Sequence, residues 1–261
     1  MMSANSSIEP NDRITKESGE VVVRVVNLKK SFGNMPVLKG ISLTLHKGEN
    51  LAILGRSGSG KSVLIKCMVG LMAVDEGEIE ILGHNVRSLS PGELNKMRQQ
   101  VGFSFQSSAL YDSMTVQENL EFPLKRNLNL FDKTELNNLV KMALHDVGLE
   151  ETSKKKPAEL SGGMKKRIGI ARTLILKPKI MLYDEPTAGL DPITSTEINE
   201  LILNVRKKYN TSSIIITHDI SCASQTADRV IALIDGQSKV EGTFEELKAT
   251  KDKELAPFFK Y

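Results

Sequence analysis

The sequence contains no tryptophan, only two cysteines among its 261 residues, and no long apolar run. Two cysteines are too few for a disulfide framework and are typical of a protein from a reducing compartment. No stretch comes near the roughly 18 consecutive apolar residues of a membrane-spanning helix. The net charge of +3 is small and the basic residues are scattered, so no nucleic-acid partner is expected. These absences argue against a disulfide-rich secreted scaffold and against a chain that spans a membrane by itself.

Composition also predicts the domain organisation. Residues 1–20 are polar and lack the apolar core of a signal peptide, so we expect a flexible tail and a protein that stays in the cytosol. Residues 21–246 are enough for one α/β domain. Inside that domain, residues 107–175 are predicted to form a helical subdomain. Residues 247–261 are predicted to be a C-terminal tail.

A glycine-rich segment at residues 55–62 is the most informative feature of the sequence. It matches the nucleotide-phosphate pattern G-x-x-x-x-G-K-[ST] at every fixed position. An apolar strand is predicted before it, at residues 50–54, and a helix after it, at residues 63–72, with Leu64, Met68 and Leu71 on one face. This order favours a phosphate site over a chance glycine-rich turn. The predicted binding residues are Gly55, Arg56, Ser57, Gly58, Ser59, Gly60, Lys61 and Ser62.

The chemistry of this segment fits a nucleoside triphosphate held together with Mg²⁺. Glycines allow consecutive N–H groups to turn toward an anion, and the N-terminus of the following helix adds partial positive charge. Lys61 can reach the β- and γ-phosphates, and the hydroxyl of Ser62 can bind the metal. The sequence therefore predicts a nucleoside triphosphate site.

Strands alternate with helices along most of the sequence. Capping patterns begin helices at Ser90, Asp132 and Thr243, and Asp235-Gly236 predicts a tight hairpin turn. This alternation indicates an α/β fold with a mainly parallel core sheet, an antiparallel β addition at one edge and a helical subdomain. The predicted strands lie at residues 21–27, 41–45, 50–54, 78–82, 101–105, 180–183, 213–217 and 230–234.

Two adjacent acids, Asp184 and Glu185, follow the apolar strand at residues 180–183. A carboxylate at the end of this strand can hold Mg²⁺, so Asp184 is a predicted metal-binding residue. Pro186 takes the chain out of regular strand geometry, which allows Glu185 to turn toward the phosphates. There it could accept a proton from an attacking water. The alternative is a pair of solvent-exposed acids, and the phosphate loop makes it the weaker interpretation.

Three further elements have the composition of ligand-binding segments. Residues 160–164, Leu-Ser-Gly-Gly-Met, precede a basic helix and form a second predicted anion site. Gln106 is predicted to end one strand, where its amide can reach a metal or a water. His218 is predicted to end another strand, where parallel sheets present their ligands. The other histidines are interpreted as ordinary polar residues.

In this order, the segments resemble the ATP-binding cassettes of ABC transporters over residues 21–246. The resemblance implies ATP and Mg²⁺ as cofactors. It makes Phe32 the aromatic residue that stacks on adenine, and Ser62, Gln106 and Asp184 the metal-binding residues. It makes Glu185 the general base, with His218 and Gln106 as the further catalytic residues.

The resemblance also implies a second copy of the chain, arranged head to tail with two ATP molecules between the copies. Ser161, Gly162 and Gly163 then contact the γ-phosphate held by the other subunit, and Asp191 lies in the loop that joins the two sites. Met164 stands where the family has the glutamine of LSGGQ, so a side-chain hydrogen bond is lost there. The serine hydroxyl and the glycine N–H groups remain.

Within the ABC family, the LSGGM string and residues 109–124 resemble the Mla-type ATPases. Those proteins serve transporters that contain an MCE-domain protein and move phospholipids between bacterial inner and outer membranes. The resemblance implies a permease that docks on residues 106–124 and a location at the cytoplasmic face of the inner membrane. An ATPase of another transporter and a cell-division or signalling ABC complex are the alternatives. A DNA- or ribosome-acting ABC ATPase is less favoured, because the sequence has neither a heptad-rich coiled coil nor a second cassette.

Overall fold

The central feature of the structure, a computed structural model, is a six-stranded sheet. The structure describes residues 19–250, 252, 254 and 256–259, so nearly all of the predicted tail 1–20 and part of the tail 247–261 lie outside the described residues. The strands are β3 (Asn50–Leu54), β6 (Val101–Ser104), β7 (Ile180–Asp184), β8 (Ser212–Thr217), β9 (Arg229–Ile234) and β10 (Gln237–Gly242). Their spatial order is β10-β9-β3-β8-β7-β6.

The five strands from β9 to β6 run parallel to one another, and β10 pairs with β9 in the antiparallel direction. Every residue of β3, β7 and β8 is buried, as expected for parallel strands that are covered on both faces. The carboxyl ends of β3 and β7 therefore reach the same edge of the sheet. The predicted α/β fold with a mainly parallel core is confirmed.

A second, separate sheet is formed by β1 (Val21–Phe32), β2 (Met35–His46), β4 (Glu76–Ile81) and β5 (His84–Asn85). Its order is β2-β1-β4-β5 and all of its pairs are antiparallel. The predicted antiparallel addition at one edge is therefore confirmed for the late hairpin and wrong for the early strands. The early strands form their own sheet, and only the late hairpin strand β10 joins the edge of the parallel sheet, because it pairs with β9 through the turn at Asp235-Gly236.

Eight α-helices surround the sheets within the described residues. Reciprocal capping boxes start α2, α3 and α8 at Ser90, Thr115 and Thr243, and the carboxylate of Asp132 accepts the backbone N–H of Glu135 at the start of α4. The helices are α1 (Lys61–Met68), α2 (Pro91–Gln99), α3 (Val116–Leu128), α4 (Lys133–Asp146), α5 (Gly162–Leu174), α6 (Pro192–Tyr209), α7 (Ile220–Thr226) and α8 (Phe244–Lys248).

The helix after the phosphate loop is shorter than the predicted span of residues 63–72. It ends at Met68, and Gly70 then takes a left-handed conformation with φ of 66°. Leu64 and Met68 are buried, whereas Leu71 lies beyond the helix and is 54% exposed. The prediction that Leu71 shares the buried face is wrong, because the left-handed glycine takes the chain out of the helix.

The side chains of β7 and β8 alternate between two hydrophobic cores on opposite faces of the sheet. Leu182, Ile214 and Ile216 face the core shared with the antiparallel sheet and α1. Tyr183 and Ile215 face the opposite core, which contains apolar residues of α3, α4, α5 and α6. This alternation follows from the two-residue period of a strand. As a result, the helix that follows the phosphate loop and the helices of the predicted helical subdomain pack on opposite faces of the parallel sheet.

No helix within the part of the chain that the structure describes combines the length and the apolar character that a membrane crossing needs. Both cysteines, Cys67 and Cys222, are free and buried. Burial raises the pKa of the Cys67 thiol to about 11 and that of the Cys222 thiol to about 12. Both cysteine side chains therefore pack in the interior.

Candidate nucleotide-binding site

The phosphate loop connects β3 to α1, with Gly55 following the strand and Lys61 beginning the helix. Gly58 and Gly60 have φ of 83° and 99°, values that a residue with a side chain rarely adopts. A Cβ on Gly60 would also lie only 2.8 Å from a methyl carbon of Leu38. The N-terminus of α1 has no side-chain cap and no acidic residue in its first turn. Its N–H groups are therefore available to an anion.

Lys61 is held inside the loop by main-chain and side-chain oxygens. Its Nζ donates to the carbonyl oxygens of Gly55 at 2.7 Å and Arg56 at 3.1 Å, and it forms an ion pair with Glu185 Oε1 at 3.1 Å. The side chain is only 5% exposed. This network places a buried positive charge in the loop, where it can bind a phosphate oxygen.

The metal-binding residues predicted at the loop and at the end of β7 meet in the structure. The hydroxyl of Ser62 donates to Asp184 Oδ1 at 3.2 Å. Burial raises the pKa of the Asp184 carboxyl, and the hydrogen bond from Ser62 opposes this shift. One hydroxyl and one carboxylate are oxygen ligands of the kind that hold Mg²⁺ beside phosphate oxygens. No group of three or more acidic, histidine or cysteine residues that could hold a metal exists among the described residues.

Glu185 leaves the strand in a left-handed conformation with φ of 49°. Its Oε1 faces Lys61, and its Oε2 contacts His218 Nδ1 at 2.8 Å and accepts the His218 backbone N–H at 3.2 Å. The Glu185 side chain is only 10% exposed, whereas the His218 side chain is 53% exposed. The structure thus brings Lys61, Glu185 and His218 together, and the interpretation of two solvent-exposed acids is wrong.

The phosphate loop contains a buried polar atom that has no partner in the described structure. Ser59 Oγ is inaccessible and makes no hydrogen bond. Arg56, Ser57 and Gly58, in the same loop, are exposed. Buried polar groups normally find a partner, and a phosphate oxygen is one that this loop can accommodate. The loop residues therefore fit the phosphates of ATP.

Phe32 is the last residue of β1, at the turn that leads into β2. Its ring is 45% exposed, and the Lys30 ammonium group lies 5.7 Å from the ring centroid. Val37 and Leu38 of the same hairpin pack against Gly60 of the loop. An exposed aromatic face beside a phosphate loop is available for stacking on a nucleobase.

Gln106 does not end a strand, because β6 ends at Ser104. Its side chain is exposed and makes no hydrogen bond within the described part of the chain, whereas its carbonyl oxygen accepts Lys166 Nζ at 2.6 Å. Lys166 Nζ also donates to the Glu185 carbonyl oxygen at 3.1 Å. Burial lowers the pKa of Lys166, and the charges of Asp184 and Glu185 oppose this shift. Sequence reasoning missed Lys166, since it stands among other basic residues and no pattern distinguishes it.

Ser161 and Asp191 each cap a helix, and the N-termini of these two helices, α5 and α6, are in contact. Ser161 caps α5 by accepting the Met164 N–H at 3.2 Å. A Cβ on Gly163 would lie 2.4 Å from Thr194 Cγ2, in the first turn of α6. Asp191 caps α6 and accepts hydrogen bonds from Ile193 and Thr194, which lower the pKa of its carboxyl. Among the described residues, no hydrogen bond joins residues 161–163 to the phosphate loop.

A strand, a glycine loop and a helix, with a serine–aspartate oxygen pair and a buried lysine at the loop, define a phosphate-loop nucleotide-binding protein. Residues 38–188 match the family model described as ABC transporter. The chain belongs to the ABC transporter family, and its described domain is of the ABC ATPase type.

Three matches illustrate the similarity. A methionine import ATP-binding protein of Rhizobium johnstonii is 41% identical over 86% of this chain and 62% of the relative. The chloroplastic protein Trigalactosyldiacylglycerol 3 of Arabidopsis thaliana is 37% identical over 90% of this chain and 72% of the relative. A dimeric post-hydrolysis structure of the cassette MJ0796 with ADP and Pi has a TM-score of 0.78 at 33% identity, and covers 85% of this chain and 98% of that one. The chain spans less than two thirds of the length of the methionine-import relatives it matches first.

Proposed function

We propose that this chain is the ATP-binding and ATP-hydrolysing motor subunit of an ABC transporter. The observation that carries the proposal is the position of the Glu185 carboxylate. It lies between Lys61 of the phosphate loop and His218, next to the Ser62–Asp184 oxygen pair. A base, a phosphate-binding cation and metal-binding oxygens are the parts that phosphoryl transfer to water requires.

The proposed roles follow from the position of each side chain. When bound, ATP with Mg²⁺ supplies the phosphoryl group that is transferred to water. Ser62 and Asp184 would hold the metal through oxygen atoms, with Gln106 as a further ligand. Glu185 would accept the proton of the attacking water, and His218 would hold Glu185 Oε2 and contact the γ-phosphate. Phe32 provides the face on which adenine stacks.

A second copy of the chain completes the proposed site. Residues 161–163 make no hydrogen bond to the phosphate loop of the described chain, and Ser161 and Gly162 are exposed. Placed against the loop of another copy, the N-terminus of α5 would add N–H groups and partial positive charge at the γ-phosphate. Because such contacts exist only when the two copies are closed, hydrolysis would release them. The dimeric relative with ADP and Pi supports this arrangement.

The proposed permease site is residues 106–124, where an aromatic surface that includes the adjacent Phe105 lies beside Gln106 in the sequence. Phe105 and Tyr111 are exposed by 37% and 42%, and the Tyr111 and Phe122 rings pack at 5.0 Å. The Arg172 guanidinium lies 4.7 Å from the Tyr111 ring centroid. An exposed aromatic cluster with an arginine is typical of a protein interface. Through such a permease, the chain would be held peripherally at the cytoplasmic face of a bacterial inner membrane.

Tyr111→Asp and Phe122→Asp are expected to abolish co-purification with the permease while ATP binding remains. A carboxylate at either position replaces an apolar ring of the contact with a charge that is costly to desolvate. The measurement is recovery of the permease with tagged protein from detergent-solubilised membranes. Phe131→Asp is the matched control, since Phe131 is 67% exposed in the same helical region but lies outside the proposed surface. Normal recovery with both test variants would contradict the docking proposal.

The substance that the transporter moves, its cargo, is a separate part of the proposal. The comparisons favour the ATPase of another ABC transporter over the phospholipid prediction, because the first matches are named for methionine import. A transporter that imports a small solute is therefore the first candidate. The chain's incomplete coverage of those relatives makes this cargo a proposal only.

A phospholipid cargo with an MCE-domain partner is the second candidate. The observation that favours it is the relative named for trigalactosyldiacylglycerol, a glycolipid, of which the chain covers 72%. The LSGGM string adds support through the Mla-type resemblance. An adequate test is to purify tagged Glu185→Gln protein with ATP from detergent-solubilised membranes and identify the bound proteins. A permease with an MCE-domain protein would favour lipid transport, a permease with a solute-binding protein would favour import, and recovery without any permease would contradict the motor proposal.

A further inference from the structure

Lys166 is a buried cation that connects three parts of the candidate site. It lies in the second turn of α5, the helix that begins after Ser161, and is only 9% exposed. Its Nζ donates to the carbonyl oxygens of Gln106 at 2.6 Å and Glu185 at 3.1 Å. We propose that Lys166 is a positioning residue, which holds the main chain at Gln106 and Glu185 at fixed places relative to the N-terminus of α5. The catalytic consequence rests on the proposed ATPase function.

The partners of Lys166 distinguish it from an ordinary buried ion pair. Within the described residues, no carboxylate oxygen lies at ion-pair distance from its ammonium group, and both hydrogen bonds go to backbone carbonyls. Burying an ammonium group is unfavourable unless its donors find acceptors. Backbone carbonyls are positioned by the chain itself, so hydrogen bonds to them restrict the backbone. Lys166 therefore restrains two loops that are 60 and 19 residues away from it in sequence.

The backbone at Glu185 is one that needs such a restraint. Glu185 adopts φ of 49°, a left-handed conformation that is strained for a residue with a side chain. Its N–H donates to the Ile216 carbonyl at 2.9 Å, and its own carbonyl accepts the Ala188 N–H at 3.2 Å in addition to Lys166. Lys166 is the side chain that holds this carbonyl within the described structure. Removing its ammonium group would leave the Glu185 carbonyl with the Ala188 N–H alone, which loosens the peptide and lets the carboxylate shift.

The Gln106 peptide depends on the same group. Gln106 follows β6 without regular structure, and its exposed side chain is not itself fixed by a hydrogen bond in the described structure. The hydrogen bond between its carbonyl oxygen and Lys166 therefore fixes the position of the Gln106 backbone, from which the side-chain amide extends. Since the same lysine belongs to α5, a displacement of that helix would move Gln106 and Glu185 together. Residues 160–164, which precede and begin α5, would thus be coupled to the hydrolytic site by one side chain.

The first test uses the full chain without nucleotide and compares Lys166→Met, Lys166→Arg and wild type by hydrogen–deuterium exchange. We expect exchange in peptides covering residues 104–110 and 184–190 to become about threefold faster or more in Lys166→Met, because the local opening free energy falls. Lys166→Arg keeps the donors and should restore protection. Lys141→Met, which removes an exposed lysine from α4, is the control and should leave both peptides unchanged. If Lys166→Met does not fold, Lys166→Gln replaces it, with the same pattern expected at smaller amplitude.

The second test measures steady-state ATP hydrolysis and its Mg²⁺ dependence. We expect Lys166→Met to lower kcat by about 10- to 100-fold through misplacement of Glu185. The KM for ATP should change by less than about threefold, since the loop residues that bind phosphate are intact. The Mg²⁺ concentration for half-maximal activity should rise, and Lys166→Arg should recover much of kcat.

Unchanged exchange in both peptides, or equal loss of kcat and ATP affinity without recovery in Lys166→Arg, would overturn the positioning role. If wild-type protein neither binds nor hydrolyses ATP, the proposed function fails instead. The exchange experiment then still decides whether Lys166 restrains the two loops.

Discussion

Replacing Glu185 with glutamine is expected to lower kcat for ATP hydrolysis by about 10²–10⁴-fold, the contribution of a general base. The amide has the same shape and its oxygen can still face Lys61, but it cannot accept a proton from water. ATP binding should remain within about threefold of wild type, because the phosphate loop is unchanged. Phosphate release measures the first quantity, and equilibrium titration with ATP measures the second.

The same variant should accumulate as a dimer in the presence of ATP and Mg²⁺. The closed dimer holds ATP between the two copies, and without hydrolysis it no longer dissociates. Light scattering after gel filtration, with and without ATP, measures this effect. Glu200→Gln on α6 is the control, since Glu200 is exposed and contacts neither Lys61 nor His218. Wild-type turnover in Glu185→Gln would remove Glu185 from the role of base.

Replacing Lys61 with alanine is expected to act one step earlier, by weakening ATP binding about 10- to 100-fold. A hydrogen bond to a charged group contributes about 1.5–3 kcal/mol, and Lys61 provides the buried cation of the phosphate loop. The substitution also leaves Glu185 Oε1 without its positive partner in a site that is 10% exposed. Titration with a fluorescent ATP analogue measures the dissociation constant.

Comparison with Glu185→Gln makes this prediction specific. Lys61→Ala should lose binding and turnover together, whereas Glu185→Gln should lose turnover alone. Lys207→Ala, which removes an exposed lysine from α6, should leave the dissociation constant unchanged. Near-normal ATP affinity in Lys61→Ala would contradict the proposed role of the lysine.

Much of the architecture could be predicted from local sequence signals. Serine or threonine followed three residues later by glutamate begins α2 and α8, and Asp235-Gly236 makes the hairpin turn before β10. The glycine pattern at residues 55–62 predicted the loop between β3 and α1. Gly58 and Gly60 have positive φ, and glycine adopts such a backbone without steric cost in any fold. The apolar runs likewise predicted buried parallel strands. These features depend on neighbours within a few residues.

The candidate site was only partly readable from the sequence. The pairing of Ser62 with Asp184 followed from two separate motifs and from the rule that parallel strands end at one edge. The placement of Gln106 beyond β6 was not predictable from the strand pattern, since β6 ends at Ser104 where its pairing with β7 ends. The roles assigned to Phe32, Asp191 and residues 161–163 remain predictions.

By itself, the sequence determined the phosphate loop, the order of strands and helices, and the parallel core, because each arises from backbone geometry or from periodic burial. Only the tertiary structure decided that the early strands form a separate sheet, that Glu185 faces both Lys61 and His218, and that Lys166 holds two loops. The hydrogen bonds from Glu185 to His218 and from Lys166 to the Gln106 carbonyl join residues 33 and 60 positions apart. Such partners are chosen when the layers pack, and no local pattern in the sequence records that choice.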